Sequence, residues 1–87
     1  MIRVRLPSQL HSYTKGLAIL EVDAPTLSSL ADCLEENFPG VRFRIIDEHN
    51  RIRRHIQFFV NGEMIRTLDH PLADGDEVHI VGALSGG

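Results

Sequence analysis

The sequence predicts an α+β fold two layers deep, in which one main helix packs on one face of a mixed sheet of four to five strands. Three observations carry that prediction. Short runs near both ends alternate apolar and polar residues with period two, while one internal segment repeats its apolar residues with the period of a helix. Asn61-Gly62 and Asp74-Gly75-Asp76 supply tight turns between the later runs. The resulting element order is β-β-α-β-β-β.

Ile2, Val4 and Leu6 share one face of a first strand, Arg3 and Arg5 take the other, and Pro7 ends it. Ser8 to Gly16 is polar and reads as a loop or hairpin turn. Leu17 to Val22 alternates loosely as a second strand, so the chain opens on a hairpin. Thr26 is placed to cap a helix through its hydroxyl. Leu27, Leu30, Ala31, Leu34 and Phe38 then recur as one helical stripe, which ends near Asn37 and is terminated by Pro39-Gly40. Asp32, Glu35 and Glu36 fall on the wet side, and Cys33 lies off the stripe's centre as a partly buried, inert thiol.

From Val41 to Arg54 the pattern weakens. Val41, Phe43, Ile45 and Ile46 fit either a short helix or a bent strand, leading to the polar turn Asp47-Glu48-His49-Asn50. Ile56, Phe58 and Val60 alternate with Gln57, Phe59 and Asn61 in a clear strand, and Asn61-Gly62 turns the chain back along a short partner at Glu63 to Arg66. Leu68 and Leu72 plug the core around His70-Pro71. Gly75 supplies the positive φ of the next turn, and the last strand runs from Glu77 to about Val81. Residues 1–81 form the domain on this reading, and 82–87 form a flexible tail.

Composition bounds what such a chain does. Eighty-seven residues make one modest core, because domains of this size bury only about 60–65% of the surface of the unfolded chain. A net charge of −3, with eight arginines and one lysine, leaves no basic stripe for nucleic acid. Arg42, Arg44, Arg51, Arg53 and Arg54 cluster, but Asp47 and Glu48 sit among them, as in a solvated loop. The single cysteine excludes an internal disulfide and a cysteine metal site, and it fits a reducing, cytoplasmic setting. The five histidines show no ligand spacing, so no metal or bound cofactor is expected. The N-terminus reads as a strand rather than a signal peptide, and no segment approaches membrane-spanning length.

The last residues are Ser85-Gly86-Gly87. Glycine loses the most backbone entropy on ordering and has no side chain to pack, so it finishes a fold poorly. It presents a carboxylate well, since a segment without Cβ atoms threads a narrow channel. At average composition, two glycines in given positions occur in about 0.5% of chains.

Phe59-Val60-Asn61-Gly62, then Leu68-Asp69-His70-Pro71-Leu72-Ala73-Asp74-Gly75-Asp76-Glu77-Val78, then Gly86-Gly87 make the whole chain resemble the ubiquitin-like β-grasp sulfur carriers. That group includes the small subunit of molybdopterin synthase and the carriers of thiamine, cysteine and thionucleoside synthesis. Each segment alone is a common turn; their order and spacing, with the terminal glycine pair, make the match specific. The resemblance implies a β-grasp fold and a carrier that is not itself an enzyme. A ubiquitin-activating-like adenylating enzyme would use ATP to adenylate the Gly87 carboxylate. Sulfur from a desulfurase- or rhodanese-type donor would then displace AMP, and the resulting thiocarboxylate would serve a downstream sulfur-accepting synthase. The extended tail Gly82 to Gly87 would reach about 20 Å, with Leu84 anchored in an apolar slot, Ser85 also bound by the partner, and Gly86 and Gly87 passing the constriction.

If Ile56, Phe58, Val60, Val78 and Ile80 face the helix, Phe59, His79 and Val81 face outward. Phe59 beside Val81 would be an apolar docking patch, unless the 41–54 segment covers Phe59. His79 is expected to be a spectator on that face. Family tails often carry prolines where this one has Gly82, which implies a more mobile tail. Arg51-Ile52-Arg53-Arg54-His55 resembles a longer subgroup that includes carriers for cysteine synthesis. Two rivals share the same residues: a protein modifier, in which a lysine amine takes the activated carbonyl, and a β-grasp interaction domain whose glycines are incidental.

Overall fold

The structure is a computed structural model and describes residues 1–82. The chain runs β1 (Ile2–Arg5), β2 (Ile19–Val22), α1 (Leu27–Asn37), α2 (Val41–Ile45), β3 (Ile56–Val60), β4 (Glu63–Ile65) and β5 (Glu77–Gly82). The five strands form one mixed sheet in the order β2-β1-β5-β3-β4. β5 lies parallel to β1 and antiparallel to β3, so the last strand fills the middle of the sheet.

Alternation along the strands sorts the two faces. Ile2, Val4, Phe58, Val78 and Ile80 turn inward and are fully buried with Leu27, Leu30 and Leu34 of α1. Burying a side chain of this size stabilises by about 1.5–3 kcal/mol relative to leaving it exposed. α1 begins as expected: the Thr26 hydroxyl accepts from the Ser29 amide at 3.1 Å. Leu68 and the half-buried Leu72 close the core from the segment that precedes β5.

Two segments depart from the alternation. The second strand starts at Ile19, because Lys15 and Gly16 both hold positive φ and turn Leu17 outward, where it is 45% exposed. The preceding loop holds a 3₁₀ turn at Ser8–Leu10. It is pinned by buried Thr14, whose hydroxyl donates to the Leu17 carbonyl at 2.9 Å. Within 41–54 the short helix forms, and an isolated bridge between Ile46 and Ile52 closes the polar turn behind it. Glu35, placed on the wet side of α1 by its spacing, instead accepts from the amides of Gly40 and Arg42 at 3.0–3.1 Å and caps the start of α2. Helix periodicity gives the face of a residue; it does not give a capping contact to the next element.

Candidate functional site

Leu84, Ser85, Gly86 and Gly87 lie outside the described residues, so the structure speaks for the root of the tail and the surface around it. β5 continues one residue past the expected boundary: Gly82 pairs with Ile56, and Val81 pairs with Gln57. The last strand therefore reaches residue 82. A Cβ at Gly82 would meet only the end of the exposed Gln9 side chain, which would have to swing aside. Gly82 is the last paired residue of β5, at the root of the tail.

The outer face of the sheet carries the other expected contact residues. Phe59 and Val81 are both half-buried, and both lie on the face opposite α1. The partner directly across from Phe59 is exposed His79 on β5, and Val81 sits diagonally from Phe59. Residues in that diagonal relation are about 7–8 Å apart, within reach of an aromatic ring. On its other side Phe59 pairs with Met64, which is 39% exposed. The apolar strip is thus Met64, Phe59 and Val81. The 41–54 segment does not bury Phe59, because Val41 and Ile45 pack into the core on the opposite side.

Met64 was legible from the turn alone. A two-residue turn at Asn61-Gly62 pairs Val60 with Glu63 and therefore Phe59 with Met64. Ile19, 46% exposed at the far side of the same face, was hidden by the loose pattern of its strand. Between these apolar positions run two ion pairs, Arg5–Glu77 at 3.1 Å and Arg3–Glu21 at 3.7 Å.

The two turn motifs prove to be one structure. The Asn61 side-chain amide donates to the Asp76 carboxylate at 2.9 Å, its oxygen accepts from the Glu77 amide at 2.9 Å, and its own amide donates to the Glu77 carbonyl at 2.8 Å. Asp76 also accepts from the Ala73 amide at 2.8 Å. The Ala73 amide and then the Asn61 side chain hold the Asp76 carboxyl below the usual aspartate range. This brace fixes the start of β5 against the end of β3, and so sets the register that delivers Gly82 to the far end of the sheet. Asn61 itself holds φ +51°, a conformation asparagine tolerates better than most side chains.

Among the described residues no three His, Cys, Asp or Glu side chains gather as metal ligands. No helix among them is long and apolar enough to cross a membrane. Cys33 is half-buried, with its thiol facing the Asp23 carbonyl at 3.7 Å.

A family model described as "ThiS family" matches residues 4–87, all but the first three residues of the chain. The chain belongs to the ThiS family. The sulfur carrier protein CysO of Mycobacterium tuberculosis is 31% identical over 91 residues, covering 99% of this ThiS-family chain and 98% of the relative. A chain in the crystal structure of the Amycolatopsis orientalis BexX/CysO complex superposes with a TM-score of 0.93 at 29% identity, each chain covered in full. Small archaeal modifier protein 1 from Haloferax volcanii superposes with a TM-score of 0.78 at 25% identity, over 99% of this chain and 98% of that one. The ThiS-family chain has the ubiquitin-like β-grasp fold that its motifs implied.

Proposed function

We propose that this ThiS-family protein is a sulfur carrier, with the Gly87 carboxylate as the group that is activated and loaded. The observation that carries this is the full-length kinship with a sulfur carrier protein, joined to a family match that runs through residue 87. Sulfur carriers are small carriers and not enzymes, and nothing in this chain needs to act as a catalytic base. The activating enzyme and the sulfur-accepting enzyme supply the chemistry.

A carboxylate is a poor electrophile. Attack of a Gly87 oxygen on the α-phosphorus of ATP breaks the bond to the β-phosphate oxygen, releases pyrophosphate and leaves an acyl adenylate. Hydrosulfide displaces AMP from that anhydride and gives the thiocarboxylate directly. A donor persulfide displaces AMP to give an acyl disulfide, and a second thiol opens it, becoming oxidised to a disulfide with the donor and releasing the thiocarboxylate. The body supplies position. Beyond Gly82, the remaining residues 83–87 span at most about 17 Å when extended, so the partner must seat the sheet end close to its nucleotide. Val81 precedes Gly82 and lies diagonally from Phe59 on the outer face of the sheet; both are proposed to dock on the partner, with Leu84, Ser85 and Gly86 held in the channel.

The test is intact mass after co-expression with the cognate activating enzyme and a sulfur source. Exchange of one oxygen for sulfur at the terminus adds about 16 Da. An unmodified mass under conditions where the enzyme consumes ATP, or adducts found only on lysines of other proteins, would overturn the proposal. The second of these outcomes is the modifier reading, and the smaller TM-score to the archaeal modifier does not favour it.

A further inference from the structure

Three arginines of the cluster that reads as a solvated loop, Arg51, Arg53 and Arg54, line a groove of about 870 Å³ between loop 50–54 and the β3–β4 hairpin. Four arginines, Arg51, Arg53, Arg54 and Arg66, line it against one carboxylate, Asp69. Locally that is +3, on a chain whose net charge is −3. Ile56 belongs both to this groove and to the pair that holds Gly82. Because β5 runs antiparallel to β3, Gly82 lies at the sheet end where Ile56 follows Arg53 and Arg54. The cationic groove therefore flanks the root of the tail.

Not all of these cations are spoken for. Arg53 is: its Nε donates to the Phe43 carbonyl at 2.6 Å and its guanidinium lies 4.5 Å over the Phe43 ring. The ion pairs among the described residues use the N-terminus, Arg3, Arg5 and Arg42, and none uses Arg51, Arg54 or Arg66. These three are exposed, and Ile52 and Met64 also line the groove.

The backbone decides what such a groove takes. A phosphate site converges free amides on the anion. Here the amides of Arg51, Arg53 and Ile56 already donate to Asp47, to the Ile45 carbonyl and to the Arg53 carbonyl. Single-stranded nucleic acid needs aromatic platforms for its bases, yet the one aromatic residue lining the groove, Phe58, is buried, and exposed Phe43 lies outside the lining with Arg53 stacked on one face of its ring. Separated guanidinium groups around an apolar wall suit carboxylates spaced along a peptide.

We infer that this groove binds an acidic, partly apolar segment of the protein that activates the tail, so that Arg51, Arg54 and Arg66 steer and orient Gly87 before chemistry. The inference rests on the sulfur-carrier function proposed above. Charges of this kind act on encounter rate and affinity more than on the bound reaction.

The experiment is ATP–pyrophosphate exchange by the activating enzyme of the same genome, with the carrier as variable substrate at several salt concentrations. Arg54→Glu alone should raise KM about tenfold, and Arg51→Glu/Arg54→Glu/Arg66→Glu more steeply, with kcat unchanged and the salt dependence of kcat/KM flattened. Arg54→Lys should recover most of the loss, and Lys15→Glu, a charge change outside the groove, should behave as wild type. Thermal unfolding of each variant confirms its fold. Unchanged KM and salt dependence in the triple variant would overturn the inference and leave the carrier function standing. Absence of exchange with the wild-type chain would overturn both. A short single-stranded RNA that inhibits exchange competitively at physiological salt would assign the groove to nucleic acid and also overturn it.

Discussion

At the residue scale, Asn61 bears more of the architecture than its exposed position suggests. Its side chain makes two hydrogen bonds that join the β3–β4 turn to the start of β5, and its backbone holds positive φ. Asn61→Ala removes both bonds and forces alanine into an unfavourable conformation, so it should cost about 1–2 kcal/mol. For a domain of this size that corresponds to a fall in Tm of roughly 5–15 °C. Asn61→Gly keeps the conformation and loses only the bonds, so its Tm should fall between the two; thermal unfolding of both variants separates the contributions.

At the scale of the element, adjacent residues of β3 test the two faces. Phe58 is fully buried in the core, and Phe58→Ala should cost about 3–5 kcal/mol. Phe59 is half-buried on the outer face, and Phe59→Ala should cost no more than about 1 kcal/mol, while weakening docking to the activating enzyme. Denaturant midpoints and the KM of activation measure the two effects independently, and a Phe59→Ala protein that loses stability as Phe58→Ala does would refute the assignment of faces. Helix α1 offers a smaller test. Thr26→Ala leaves the Ser29 amide without its cap and should lower stability by about 1 kcal/mol, with Thr26→Ser close to wild type.

At the scale of the molecule, three carboxylates accept backbone amides in the folded state and titrate below their ordinary values. They are Asp76 and Asp47, ordinarily at 3.8, and Glu35, ordinarily at 4.5. Amides from Ala73, Arg51 and Gly40 are the leading causes in turn. A carboxyl whose folded pKa is lowered contributes stability above its unfolded pKa and loses it as pH falls through the folded value. Tm should therefore be level from pH 7 to about 5 and decline below about pH 4.5. A Tm that rises on acidification through that range would contradict these contacts. The whole molecule also separates body from tail. A chain ending at Gly82 retains every described strand pair and should unfold at the same temperature as the full chain, yet gain no mass from the activating enzyme.

Much was legible in the chain itself. Period-two alternation gave the burial of Ile2, Val4, Ile56, Phe58 and Val60, and the 27–38 stripe with its Thr26 cap gave the start of α1 and its end near Asn37. Local periodicity and capping chemistry suffice there, because a strand face or a helix stripe is a property of a few neighbouring residues. The spacing of the turn motifs and the glycine pair likewise carried the family resemblance. Sequence could not show that Asn61 and Asp76 are bonded, that Glu35 caps the next helix, or that Gly82 is a paired strand residue. Nor could it show that Arg51, Arg54 and Arg66 stand around one groove at the root of the tail. The Asn61–Asp76 bond and the pairing of Gly82 join residues distant along the chain and exist only once β5 inserts between β1 and β3. The Glu35 cap depends instead on the turn that brings Gly40 and Arg42 back to the end of α1, and the groove on loop 50–54 folding beside the β3–β4 hairpin.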